Sequence, residues 1–186
     1  MSLPMTPSNL INDEAWAIAY SGFRLGQHPD RGDGAKNPSE SDIIEDLDIL
    51  VKEGFQLIRM YDCDQNTQDT LKVIRSNEYP IKVLLGVWLD AELSNHDGCG
   101  WLEEPIPQVE LEANKKSNLK EVMEAIRLCE EYSDIIVAVN VGNESLVSWN
   151  DHMNTEEGVI SYIQTLKSKI DPVSYTHLRA HETCTN

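Results

Sequence analysis

Compact apolar runs alternate with amphipathic stretches along the chain, and the alternation repeats four times. The first apolar run, Ala15 to Phe23, predicts a strand, and Gly26, Pro29, Gly32 and Gly34 then punctuate a loop. After Pro38 the spacing of Ile43, Leu47, Leu50 and Val51 predicts a helix, capped by Ser39 or Ser41 and stopped by Gly54. Phe55 to Tyr61 predicts the second strand, and Leu71 with Ile74 marks a short amphipathic helix ending before Pro80. Ile81 to Leu89 is almost continuously apolar, as a parallel strand covered by helices should be. A long loop leads to a helix predicted from near Asn118, where Glu121 completes a capping-box-like start and Val122, Ile126 and Cys129 form the apolar stripe. Ile135 to Val141 predicts a β-branched fourth strand, and Thr155 to Lys169 a helix presenting Val159, Ile163, Leu166 and Ile170.

Strand and helix in strict alternation predict parallel strands joined by right-handed crossovers, so the fold class is α/β. Two architectures satisfy the pattern, a doubly wound open sheet and a (β/α)8 barrel. Neither a Gly-rich dinucleotide turn nor a phosphate-binding loop follows any predicted strand, which removes the main sequence argument for the open sheet.

Composition narrows the function classes. In 186 residues the formal net charge is −17, so a surface built to attract nucleic acid or anionic lipid is disfavoured, whereas a neutral glycan is readily accommodated. No stretch reaches the roughly 20 apolar residues of a membrane span, and Met1 to Asn12 reads as a flexible N-terminus without the basic and apolar regions of a secretory signal. Location is therefore open: cytoplasmic by default, periplasmic or secreted if the true start lies elsewhere. Cys63, Cys99, Cys129 and Cys184 lack metal-binding or disulfide-scaffold spacing and read as free thiols. No cofactor is indicated.

The last residues carry a different signal. VSYTHLRAHET, from Val173 to Thr183, resembles the translation of a transposon-type sequencing adapter, so 173–186 is read as a non-native tail. The helical spacing of His177 and His181 is then no basis for a metal site. Arg31-Gly32-Asp33, although an adhesion tripeptide, reads as loop chemistry.

In parallel α/β folds the loops after the C-terminal strand ends build the active site. Four clusters qualify: Tyr20 to Gln27, Tyr61 to Asp64, Trp88 to Glu92, and Gly142-Asn143-Glu144. A carboxylic acid projected from a strand end suits general acid catalysis on a glycosidic oxygen, and an adjacent amide can hold a sugar hydroxyl. Asn143 and Glu144 could equally do no more than satisfy backbone groups where the chain turns. Trp88 and Trp101 are candidates to stack on glucose rings, with Trp149 behind them; Tyr20 and Arg24 are further candidate contacts, and Asp62, Asp90 and Glu92 could line the same cleft.

Val141-Gly142-Asn143-Glu144 after the fourth strand, Ile58-Arg59-Met60-Tyr61-Asp62 on the second and YSGFRLGQHP on the first together resemble glycoside hydrolase family 17, bacterial β-1,3-glucanase type. The matching features run from about Ala15 to Pro172, in the family's order. The resemblance implies a (β/α)8 barrel, of which 13–172 is the N-terminal half, and retaining hydrolysis or transglycosylation of β-1,3-glucan. It implies Glu144 as acid/base, with Asn143, Tyr61 and Asp62 about the substrate. The family's nucleophile belongs after a seventh strand and has no matching position, so this chain is expected to lack cleavage activity, since a retaining mechanism needs two carboxyls roughly 5–5.5 Å apart. Two other readings remain. Asp62-Cys63-Asp64 would suit a metal-dependent glycosyltransferase, and the chain could be a non-catalytic glycan-binding protein.

Overall fold

The computed structural model describes residues 16–28, 36–170 and 178–180. Expectations for Met1 to Asn12, Arg31-Gly32-Asp33, His177, His181 and Cys184 lie outside these residues. The chain order is β1 (Trp16–Ala19), α1 (Glu40–Lys52), β2 (Phe55–Arg59), α2 (Gln65–Ser76), β3 (Lys82–Val87), α3 (Gln108–Glu131), β4 (Ile136–Val141), α4 (Glu156–Lys169) and β5 (Leu178–Ala180).

All neighbouring strands pair in parallel, in the order β1-β2-β3-β4-β5. This order decides what periodicity left open. A doubly wound sheet reverses direction at a switch point, placing a later strand on the far side of the first; here every strand adds to the same edge, which is the winding of a barrel. Four βα units form this arc. From the tail read as non-native, Leu178–Ala180 pairs with Val139–Val141, a strand that no periodic signal announces.

Local chemistry sets the helix starts. Ser39 caps α1: its side chain accepts from the Asp42 amide, while the Asp42 carboxylate accepts from the Ser39 backbone N–H at 2.9 Å. Gly54, at φ +89, takes the left-handed turn that leads from α1 into β2. Thr155 caps α4.

One boundary departs from expectation. The third helix begins at Gln108, ten residues before Asn118, with Pro107 at its cap. The intervening sequence favours helix but is largely exposed and polar, so it shows no apolar stripe. Asn118 and Glu121 consequently do not cap anything; they lie inside α3 and serve the strand-end loops described below.

Strand register divides the sheet into two faces. Ile58 pairs with Val83, Leu85 with Val139 and Val87 with Val141; all six are buried and belong to one core with Ile43 and Leu47 of α1, Leu71 and Ile74 of α2, Val122 and Leu128 of α3, and Val159 and Leu166 of α4. By the two-residue alternation of strands, Arg59, Leu84, Gly86, Ala138 and Asn140 occupy the opposite face, where all but Leu84 are small or polar. Cys63, Cys99 and Cys129 are buried. No helix among the described residues is long and apolar enough to cross a membrane.

Candidate active site

The loops leaving β2, β3 and β4 meet at one end of the sheet. Gly86 allows a close approach: a Cβ there would stand 2.4 Å from the Tyr61 carbonyl carbon and 2.5 Å from the Met60 oxygen, so only glycine fits. Arg59, at the end of β2, reaches past β3 and donates from Nη2 to Asn143 Oδ1 at 2.7 Å. Its guanidinium also lies 4.6 Å from the Tyr61 ring centroid, so one cation braces both the tyrosine and the amide. Arg59 Nε is buried and has no hydrogen-bond partner among the described residues.

Two successive departures from ordinary backbone aim the next residue. Gly142 has φ +76 and Glu144 φ +54, a left-handed conformation uncommon for a residue with a side chain and typical of functional turns. Glu144 is half-buried, and its carboxylate takes no hydrogen bond among the described residues. Its carbonyl instead fixes the turn, accepting from Asn150 Nδ2 at 3.2 Å.

His152 completes the wall. Its Nε2 lies 2.8 Å from the Asn143 carbonyl oxygen and its Nδ1 2.8 Å from Asp151 Oδ1. Its ring packs on Trp88, with centroids 4.6 Å apart. Burial by itself would raise the Asp151 carboxyl, but hydrogen bonds from His152 and Trp101 and the neighbouring imidazole outweigh it and hold Asp151 below the usual carboxylate range.

The β2 and β3 loops are clamped from α3. Glu121 Oε1 accepts from the Cys63 amide at 2.8 Å and from the Trp88 amide at 3.4 Å. Asn118, fully buried, accepts from the Asp90 amide at 2.7 Å and donates back to the Asp90 carbonyl at 3.0 Å. Trp88 Nε1 donates to Asp90 Oδ1 at 3.2 Å.

The expected site residues thus fall into two groups. Glu144, Asn143, Tyr61 and Trp88 lie on strand-end loops linked by Arg59 and His152. Asp62 follows Tyr61, but its Oδ1 accepts from the Asp64 amide at 3.1 Å and Thr67 Oγ1 at 3.2 Å, which is helix-start work at α2. Glu92 accepts from Asn118 and from the Tyr162 hydroxyl, tying the third loop to α3 and α4.

Tyr20 and Arg24 are corrected more firmly. Tyr20 is 8% exposed and donates to Asp46 on α1 at 3.1 Å; burial and that carboxylate push its phenol well above the ordinary value, so it stays a neutral donor. Arg24 pairs with Asp46 at 2.9 Å, Glu45 at 3.1 Å and Asp42 at 3.7 Å. Both side chains anchor the first loop to α1, because that helix presents three acids to it. Arg59, His152, Asn118 and Glu121 carry the opposite lesson. Arg59 was legible as a cation at a strand end, whereas a histidine eight residues beyond Glu144 and polar residues inside a helix give no local signal.

No family model and no curated protein sequence matches the chain. Among solved structures, the crystal structure of an endo-laminarinase from Formosa Hel1_33_131 is similar, with a TM-score of 0.67, 24% sequence identity and coverage of 88% of this chain. The match spans 40% of that protein's chain. Strand order, helix alternation and this similarity together define the fold: an arc of four parallel βα units of the (β/α)8 barrel type.

Proposed function

We propose that this chain is the glucan-binding, acid/base half of a retaining β-1,3-glucan hydrolase or transglycosylase. Glu144 is its acid/base; Asn143, Tyr61 and Trp88 contact the sugar, and Asp62 shapes the loop beneath them. The observation that carries the reading is the strand-end turn of Glu144, held in left-handed backbone, its carboxylate free of hydrogen bonds among the described residues, next to an amide that Arg59 holds in place. A group so placed can give a proton to a glycosidic oxygen, and its neighbour can hold a hydroxyl near the reacting carbon. The similarity of fold to an endo-laminarinase supports a glucan as substrate.

The nucleophile of this reading belongs to a later βα unit, so residues 13–172 bind a glucan without cleaving it. The metal-dependent transferase reading is less well supported, since Asp62 is committed to the start of α2.

The test is Glu144→Gln in a version of the protein that continues through the remaining barrel units. Cleavage of β-1,3-glucan is expected to fall roughly 100- to 10,000-fold, the usual contribution of a positioned general acid, with glucan affinity retained. Undiminished cleavage would remove Glu144 from this role, and absence of any cleavage in the unsubstituted protein would favour a binding protein.

A further inference from the structure

The β3–α3 loop is long and connects elements that a few residues would join, which is the habit of functional loops. It is also built rather than loose. Glu92 and Leu93 amides both donate to the Met153 carbonyl at 3.1 Å, and Ser94 Oγ accepts from the Ile106 amide at 2.9 Å. Asn95 Nδ2 donates to the Ser148 carbonyl, Cys99 is buried, and a Cβ on Gly98 would stand 2.2 Å from Ser148 O. The loop is therefore pressed against the one that follows β4.

This packing brings two indoles together at the rim. Trp101 and Trp149, one from each loop, lie with ring centroids 6.2 Å apart at 64°. They stay 58% and 41% exposed although each would gain by burial. Trp101 is among the groups that lower the Asp151 carboxyl, whose Oδ1 meets His152, whose ring packs on Trp88. A line of rings therefore runs from the mouth beside Asn143 and Glu144 out to the rim.

We propose that Trp101 and Trp149 form a second carbohydrate subsite, a remote platform for glucose units of the same chain held at Glu144. The inference rests on the glucan reading above. Sugar rings offer flat C–H faces to an indole and hydroxyls to the flanking acids, whereas Asp97, Glu103, Glu104 and Asp151 would repel an anionic ligand. Set edge to face at 64°, the two indoles offer one ring face and the edge of its neighbour to a sugar chain.

The experiment uses the chain as it stands, titrated calorimetrically with β-1,3-linked glucose oligomers of about two and about six units. In Trp101→Ala/Trp149→Ala, affinity for the longer oligomer is expected to drop about tenfold, equivalent to about 1.4 kcal/mol, with the shorter one unaffected. Trp88→Ala should weaken both, and Trp101→Phe/Trp149→Phe should recover most of the loss. Because both indoles are exposed, the thermal midpoint should not move. Unchanged affinity for the longer oligomer in the double alanine variant overturns the platform, as does a lack of binding to any glucose oligomer. If a β-1,4-linked oligomer binds in place of the β-1,3-linked one and is lost in the double variant, the platform stands and the linkage assigned to the Glu144 site falls.

Discussion

Around Glu144, orientation comes from neighbours whose chemistry is individually ordinary. Gly142 turns the chain, Asn150 holds the Glu144 carbonyl, and His152 holds the Asn143 carbonyl, so the carboxylate is aimed without being bonded itself. Asp151 links this arrangement to Trp101, and its depressed carboxyl gives the link a pH signature. A group whose folded value lies below its unfolded one contributes stability above the unfolded value, about 3.9, and loses that contribution as pH falls through the folded value. Tryptophan fluorescence should therefore report loosening of the Trp101 contact only below about pH 4, and Asp151→Asn should abolish that acid transition. A transition that persists in the variant would place its origin elsewhere. At this scale the sequence was partly legible. Strand-end position places Glu144, Asn143, Tyr61 and Trp88 on neighbouring loops, whereas Tyr20 and Arg24 turn to α1, because a side chain leaving a strand end can turn outward when a helix offers three carboxylates.

Elements divide between those that hold the core and those that also hold the site. Strands β1 to β4 and the helices α1, α2 and α4 are legible because their apolar spacing records which face is buried. The helix α3 was legible only in its second half. Its first turns are polar and exposed, and its functional residues are polar groups on the inner side, which periodicity counts as noise. Asn118 is the clearest case, since it satisfies both the N–H and the carbonyl of Asp90 and one oxygen of Glu92 while buried. Asn118→Ala leaves the buried Asp90 N–H without its partner, while the Asp90 carbonyl keeps Asn154, an expected loss of about 1–3 kcal/mol by chemical denaturation. It should also free the Trp88 loop, weakening glucan binding. A loss under about 0.5 kcal/mol, as for an ordinary surface substitution, would contradict the clamp.

For the whole molecule, the two sides of the sheet behave differently. One side is a continuous apolar core beneath four helices, and the other is lined by Arg59, Leu84, Gly86, Ala138 and Asn140. At one edge all four residues of β1 are exposed, including Trp16 at 66% and Ile18 at 38%. An edge strand with open backbone groups and exposed apolar side chains pairs readily with another chain. Sedimentation velocity should show concentration-dependent self-association, reduced by Ile18→Lys; a monomer at every concentration would contradict this. Sequential winding, the feature that separates barrel from open sheet, could not be read from periodicity because both architectures bury strands between helices. The central claim is that Glu144 opens onto a mouth that holds a glucan, and the most direct measurement is a crystal structure of the chain with a β-1,3-linked glucose oligomer. A sugar ring is expected against Trp88, with its glycosidic oxygen about 3 Å from the Glu144 carboxylate and a hydroxyl on Asn143. An oligomer bound away from Glu144, or a Glu144 side chain folded back onto its own loop, would contradict it.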